Sequence, residues 1–163
     1  MRVYIASVFA DKDRVRARCI ELNEAGIEIT SRWANEEAPA NSKATDKSFT
    51  YMRQTATMDL DDIMAADVLV LTSPTDAEMV NLTSHQLGRG GRHFESGFIY
   101  GLITSACRLY GGNARKRLVL MGRRENVFHF LDGTEEAKLY PPVVQLDTWE
   151  EVKEYLIRVS KES

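Results

Sequence analysis

Residues 68–71, Val-Leu-Val-Leu, form a continuous apolar, β-branched run between Asp67 and Thr72-Ser73-Pro74. A strand with no polar side has to be covered on both faces, which is the situation of a parallel sheet lying between two layers of helices. The rest of the chain supplies those layers. Residues 3–6 are a short β-rich run, and residues 11–25 then show helical periodicity, with Val15, Cys19, Ile20 and Leu22 on one side. Asp11 or Asp13 can cap that helix and Gly26 stops it. Residues 27–29 with Thr30 read as a second strand, which makes the first unit strand, helix, strand.

Residues 33–47 are polar and weakly patterned, as expected of a surface excursion that shapes a site. A helix over residues 49–66 follows, with Met52, Ala56, Leu60, Ile63 and Met64 on its core-facing stripe. Beyond residues 68–71 a polar loop runs to Gly91, and an apolar helix then extends to Tyr110. Gly111-Gly112-Asn113 stops it, and Arg115-Lys116-Arg117 reads as a solvated turn. Residues 118–121 form a fourth buried strand, 126–131 a short helical or turn element, and 143–146 a fifth strand. Residues 148–159 close as an amphipathic helix with Trp149, Val152, Tyr155, Leu156 and Val159 inward. The expected architecture is α/β, a flavodoxin-like, doubly wound, three-layer fold with a five-stranded, mostly parallel sheet.

At 163 residues, with no repeat or linker, a single domain over residues 1–163 is expected. A formal charge of −3 gives no overall attraction to a nucleic acid polymer. Cys19 and Cys107 have neither metal-type nor redox-type spacing, and His85, His93 and His129 have no ligand spacing with any cysteine or acid cluster. No metal and no cofactor is therefore expected. The start has no signal-peptide layout, and the longest apolar run is too short to span a membrane, so a cytoplasmic protein without membrane attachment is expected.

In such a sheet ligands bind outside the carboxyl ends of the strands. Around that crevice the sequence gathers Tyr4 or Ser7 from the first strand, a carboxylate before the third, and Glu95. Glu95 stands in Gly-Gly-Arg-His-Phe-Glu-Ser-Gly, residues 90–97, where an apolar helix begins. A first-turn acid faces unpaired N–H groups and the positive end of the helix dipole, so Glu95 is expected to be held as an anion and to be a nucleophile at neutral pH. Gly91 and Gly97 would let a ligand or another backbone approach. Among the acids before the third strand, Asp67 abuts the strand and is expected to cap or end the helix, while Asp61 and Asp62 read as solvated. Asp59, about two turns earlier, lies toward the strands' carboxyl edge. A carboxylate pair in a nucleotide-sized crevice suggests glycosyl chemistry, one anion meeting the anomeric carbon while the other group orients the sugar or handles protons.

Tyr4-Ile5-Ala6-Ser7, Asp59 eight residues before Asp67, residues 68–71, and Gly91-Arg92-His93-Phe94-Glu95-Ser96-Gly97 together resemble the nucleoside 2-deoxyribosyltransferase family. They equally resemble its hydrolase relatives, which cleave the N-glycosidic bond of nucleoside monophosphates. The resemblance implies that Glu95 is the nucleophile forming a covalent glycosyl intermediate at C1′. It also implies that Asp59 binds the sugar hydroxyls and that Tyr4 lies near sugar and nucleophile. The loop before the glutamate departs from the transferases, which carry an acid facing the base there; here it holds Arg89 and Arg92. Two arginines beside glycine N–H groups and a helix start favour a phosphate. The expected substrate-binding residues are Ser7, Phe9, Arg89, Gly91, Arg92, His93 and Asn126.

The expected activity is hydrolysis of the C1′–N bond of a (deoxy)nucleoside 5′-monophosphate. Base exchange on deoxynucleosides is one alternative, and a non-catalytic module binding nucleotides or ADP-ribose-like ligands is another. The proton donor to the leaving base stays open between Asp59, a water and the acid form of Glu95. In the family's relatives a segment similar to residues 123–128 flanks the site, often from a neighbouring subunit, and the helix after Glu95 is apolar nearly all round. A homodimer or higher homo-oligomer is therefore expected.

Overall fold

The computed structural model describes residues 1–37, 47–73, 91–110, 116–125 and 143–162, without the side chains of 106–110. In chain order the strands are β1 (Arg2–Ala6), β2 (Glu28–Ile29), β3 (Val68–Thr72), β4 (Arg117–Met121) and β5 (Val144–Leu146). The helices are α1 (Lys12–Glu24), α2 (Phe49–Ala65), α3 (Gly91–Tyr110) and α4 (Trp149–Lys161), with 3-10 turns at Phe9–Asp11 and Arg32–Asn35. All strand pairs are parallel and the order is β2-β1-β3-β4-β5, which is the flavodoxin-like order with its switch point between β1 and β3. β3 is buried at every residue, as a central parallel strand must be.

Helical geometry corrects the expected core stripes. Val15, Cys19 and Leu22 of α1 are buried, but Ile20 is exposed. In α2 Ile63 is fully buried while Met64 is 50 % exposed. Adjacent helical residues point about 100° apart, so a narrow stripe holds only one of each pair. The expected inward set of α4 holds, with Trp149, Val152, Leu156 and Val159 buried and Tyr155 packed partly against the core. Its start is a capping box between Thr148 and Glu151. Asp11 occupies the α1 cap position without a side-chain cap bond, whereas Gly26 does turn the chain with φ +79°.

The start of the 33–47 stretch is not a surface excursion. β2 pairs with β1 only at Arg2 and Val3, which leaves the outer backbone groups of Ile5 without a strand neighbour. The Ile5 N–H donates to Ser31 Oγ, and Trp33 Nε1 donates to the Ile5 carbonyl at 2.9 Å. Side chains thus finish the ladder where the strand stops, and Trp33 and Ala34 are buried in doing so. Asp62 is not solvated either. It is 5 % exposed and accepts from Arg32 N at 3.1 Å and Arg32 Nε at 2.7 Å. This ties the Trp33 turn to α2.

Two residues near the amino edge of the sheet also act otherwise than expected. Asp67 accepts the Arg2 N–H at 2.7 Å, so it fastens the start of β1 rather than capping a helix. Lys116 is not a solvated turn residue: its ammonium donates to the carbonyls of Met64 and Ala66, satisfying the end of α2.

Candidate active site

Glu95 is the fifth residue of α3, which puts it about 6 Å below Gly91 at 1.5 Å per residue. The expected first-turn position is therefore corrected, and with it the expected electrostatics, because the pull of a helix end fades within one turn. Burial instead pushes the Glu95 carboxyl up to about 7; the hydrogen bond from Tyr4 opposes the shift and the charge of Asp59 adds to it. Tyr4 sits in mid-strand, opposite Leu69 of β3, and is completely buried. Its hydroxyl donates to Glu95 Oε1 at 2.9 Å. Burial and the two nearby carboxylates raise the Tyr4 hydroxyl far above its ordinary range, so it stays a neutral donor.

Asp59 completes the group. α2 returns toward the start of β3, so its earlier residues lie nearer the carboxyl edge. Half-buried there, Asp59 acts electrostatically on both Glu95 and Tyr4. Its own carboxyl is pushed up to about 7 by burial, then by Glu36 and Asp62, against the pull of Arg32. Two carboxyls that share a poorly solvated space do not both ionise freely near neutrality. With both carboxyls raised to about 7, an acid and an anion are both accessible near neutrality, as acid–base chemistry on a sugar requires.

Glu36 opens the rim of this space. Its Oε2 accepts from Tyr51 Oη at 3.0 Å and from Lys47 Nζ at 3.4 Å. The Lys47 ammonium lies 5.3 Å from the centroid of the Phe9 ring, which is tilted against Trp33 at 6.2 Å. A cavity of about 540 Å³ adjoins, lined by Glu37, Lys47, Ser48 and Tyr51. Phe9 is thus part of an aromatic and charged rim, next to the acid that neighbours Asp59.

The other expected substrate contacts fall differently. Ser7 accepts from Thr72 Oγ1 at 2.7 Å and donates to Asp11 Oδ2 at 3.3 Å, linking the ends of β1 and β3. Arg92 is buried on Glu125, with Nη2 2.6 Å from Oε1 and Nε 3.3 Å from Oε2. His93 Nε2 is 3.6 Å from the same carboxylate, and burial lowers the His93 pKa against the charge of Glu125. Burial alone would raise Glu125, but the hydrogen bonds from Arg92 and Ser73 win and hold it below the ordinary carboxylate range. Gly91 is exposed, and no described atom lies within 4 Å of where a Cβ would sit at Gly91 or Gly97. Arg89 and Asn126 lie outside the described residues. Among the described residues no three His, Cys, Asp or Glu side chains cluster as metal ligands.

Sequence reasoning missed Glu36, Asp62 and Glu125. The available signal for Glu125 was its place just past a buried strand at the carboxyl edge, beside Arg123-Arg124.

The sheet order defines a flavodoxin-like α/β fold, and solved structures share it. A 2-deoxyribosyltransferase from Bacillus psychrosaccharolyticus matches with a TM-score of 0.57 at 17 % identity, over 95 % of this chain and 92 % of that one. The CMP N-glycosidase BcmB from Clostridium botulinum matches with a TM-score of 0.50 at 17 % identity, over 99 % of both chains. The fold is thus the one found in a 2-deoxyribosyltransferase and in a CMP N-glycosidase. No protein-family model matches the chain, and no curated protein matches it in sequence. No helix among the described residues is long and apolar enough to cross a membrane.

The raised carboxyls set the pH dependence of stability. A carboxyl whose folded pKa exceeds its unfolded one holds its proton more tightly in the native state. For Glu95 that stabilisation is complete below the ordinary glutamate value of about 4.3, and it is lost as pH rises through about 7. Glu95→Gln is therefore expected to melt above the wild type at pH 8, with the gap closing toward pH 4 in thermal denaturation. A gap independent of pH over that range would contradict the assignment.

Proposed function

We propose that this protein is an N-glycosidase that cleaves the C1′–N bond of a nucleoside 5′-monophosphate, with Glu95 as nucleophile. The observation that carries this reading is the hydrogen bond from the buried Tyr4 hydroxyl to Glu95 at 2.9 Å, next to Asp59. The Glu95 carboxylate attacks C1′ while the C1′–N bond breaks and the base leaves with the bonding pair. A proton must reach that base, and the carboxyl of Asp59, pushed up to about 7, is suited to supply it while holding the sugar hydroxyls. Water then attacks C1′, Glu95 is released, and its proton balance is restored through Asp59 or solvent. Tyr4 keeps one oxygen of Glu95 fixed and leaves the other for the sugar.

Base exchange on a deoxynucleoside is the second reading, and one observation favours it. Glu125 engages Arg92, so that guanidinium does not face the crevice as an open phosphate clamp. A phosphate would then depend on Arg89 and on glycine N–H groups. In the exchange reaction a second base, rather than water, takes the sugar from Glu95.

We also propose that the protein pairs with a second copy across α3. Phe94 is 65 % exposed and stacks on Phe98 at 6.4 Å, while Gly97 and Gly101 follow on the same exposed side. This surface lets another helix approach closely. The occupant is a second copy of the chain, as in the oligomeric arrangement that the family resemblance implies.

A panel of ribo- and deoxynucleosides and their 5′-monophosphates, analysed chromatographically for free base, tests the reaction. Release from a monophosphate is expected to disappear in Glu95→Ala while the fold survives, and addition of a second base separates exchange from hydrolysis. Full turnover in Glu95→Ala would refute the mechanism, and ligand-induced stabilisation without any base release would mark a binding module instead. In analytical ultracentrifugation the wild type is expected at twice the chain mass and Phe94→Asp nearer the chain mass; a monomeric wild type removes the pairing.

A further inference from the structure

We infer that Glu125 is a positioning residue for Glu95: through Arg92 it fixes the rotation of the first turn of α3, and with it the place of the nucleophile's carboxylate. The inference rests on the reading of Glu95 as nucleophile.

The anchor point is well fixed. Gly122, just past β4, has φ +85°, and a Cβ there would lie 2.6 Å from the Ser73 carbonyl oxygen. The chain thus turns tightly against the end of β3, where only glycine fits without displacement. Ser73 N donates to the Met121 carbonyl at 2.8 Å, and Gly122 N donates to the Leu146 carbonyl at 2.9 Å. Three residues on, Glu125 Oε2 accepts from Ser73 Oγ at 2.8 Å. The carboxylate is therefore tied to the carboxyl edge of the central strands β3 and β4.

Arg92 meets this anchor with two nitrogens, a geometry that fixes direction as well as distance. The Arg92 and Glu125 side chains are 4 % and 14 % exposed. Releasing either partner would leave a charge poorly solvated, so the pair resists opening. Arg92 and Glu95 are three residues apart and share a face of α3. Any rotation of the helix that frees Arg92 also withdraws Glu95 from Tyr4.

Such a restraint has something to oppose. The groups acting on Glu95 are Tyr4 from β1, which attracts it, and Asp59 from α2, which repels it when both are charged. Burial adds a further drive for the ionised carboxylate to turn toward water. The hydrogen bond from Tyr4 holds Glu95 at its own position, and the Arg92–Glu125–Ser73 clamp holds the helix that carries it. In this assignment Arg92 serves the protein rather than a substrate phosphate.

The test is a ¹³C-carboxyl NMR titration of Glu95 in the wild type, Glu125→Gln, Arg92→Met and Arg92→Lys, alongside kinetics. In the wild type the Glu95 midpoint is expected at about 7. In Glu125→Gln and Arg92→Met it is expected to fall toward about 4.3 as the carboxyl gains water. Over the same change kcat should drop on the order of a hundredfold with KM little changed, the signature of a misplaced reacting group. Arg92→Lys, which keeps the charge, should retain more of both properties than Arg92→Met. An unmoved Glu95 midpoint in Glu125→Gln and Arg92→Met overturns the inference, whatever happens to activity. Should those variants fail to fold, Ser73→Ala withdraws only the hydroxyl from Glu125, and an unmoved midpoint there overturns it as well. The titration does not depend on turnover, whereas persistent activity in Glu95→Gln would defeat the nucleophile reading alone.

Discussion

A tyrosine hydroxyl in the middle of a buried strand has one polar atom to satisfy and no water to satisfy it. In this protein the partner is Glu95, brought down from the carboxyl edge by about one turn of α3. Leaving that hydroxyl unpaired would cost roughly 1–3 kcal/mol. The bond therefore fixes which helix face meets β1. It also sets how deep the carboxylate lies and which of its oxygens remains for a ligand. The remaining acids are organised around this pair.

Depth carries a cost, and the fold distributes it. Glu95 and Asp59 are both pushed up to about 7 by burial; the charge of Asp59 adds to the rise of Glu95, and those of Glu36 and Asp62 add to the rise of Asp59. Asp62, also close, binds Arg32, and Glu36 is held by Tyr51 and Lys47. Two of the four acids are thus committed to structural partners. The other two, Asp59 and Glu95, are left poised for chemistry. Stability sacrificed at such a pair is the common companion of a working site.

Much of this was legible in the residues. The charge-free run at 68–71 demanded cover on both faces, and the alternation of elements around it gave a parallel sheet, confirmed down to the strand order. Tyr4, Asp59 and Glu95 were gathered from separate elements by the rule that ligands meet the strands' carboxyl ends, with the family resemblance assigning their roles. What stayed hidden depended on where backbone groups run out of partners. The stretch 33–47 is polar overall, yet the early end of β2 leaves Ile5 needing Trp33 and Ser31. Asp62 looks like its exposed neighbours, yet Arg32 is folded back over it. Glu125 was invisible because a tertiary turn at Gly122, not any local pattern, brings it to Arg92. The electrostatic state of Glu95 was misjudged for a similar reason: a shift of one helical turn exchanges the field of the helix end for the cost of burial.

The most direct test of the central claim is covalent trapping. A 2-deoxy-2-fluoroarabinosyl nucleoside monophosphate slows both glycosyl steps, because fluorine disfavours positive charge at C1′, and lets an ester accumulate. Intact-mass and peptide mass spectrometry after base release should find one sugar phosphate attached, on the peptide carrying Glu95. Attachment to another residue, or base release with the protein's mass unchanged throughout, would contradict a covalent role for Glu95.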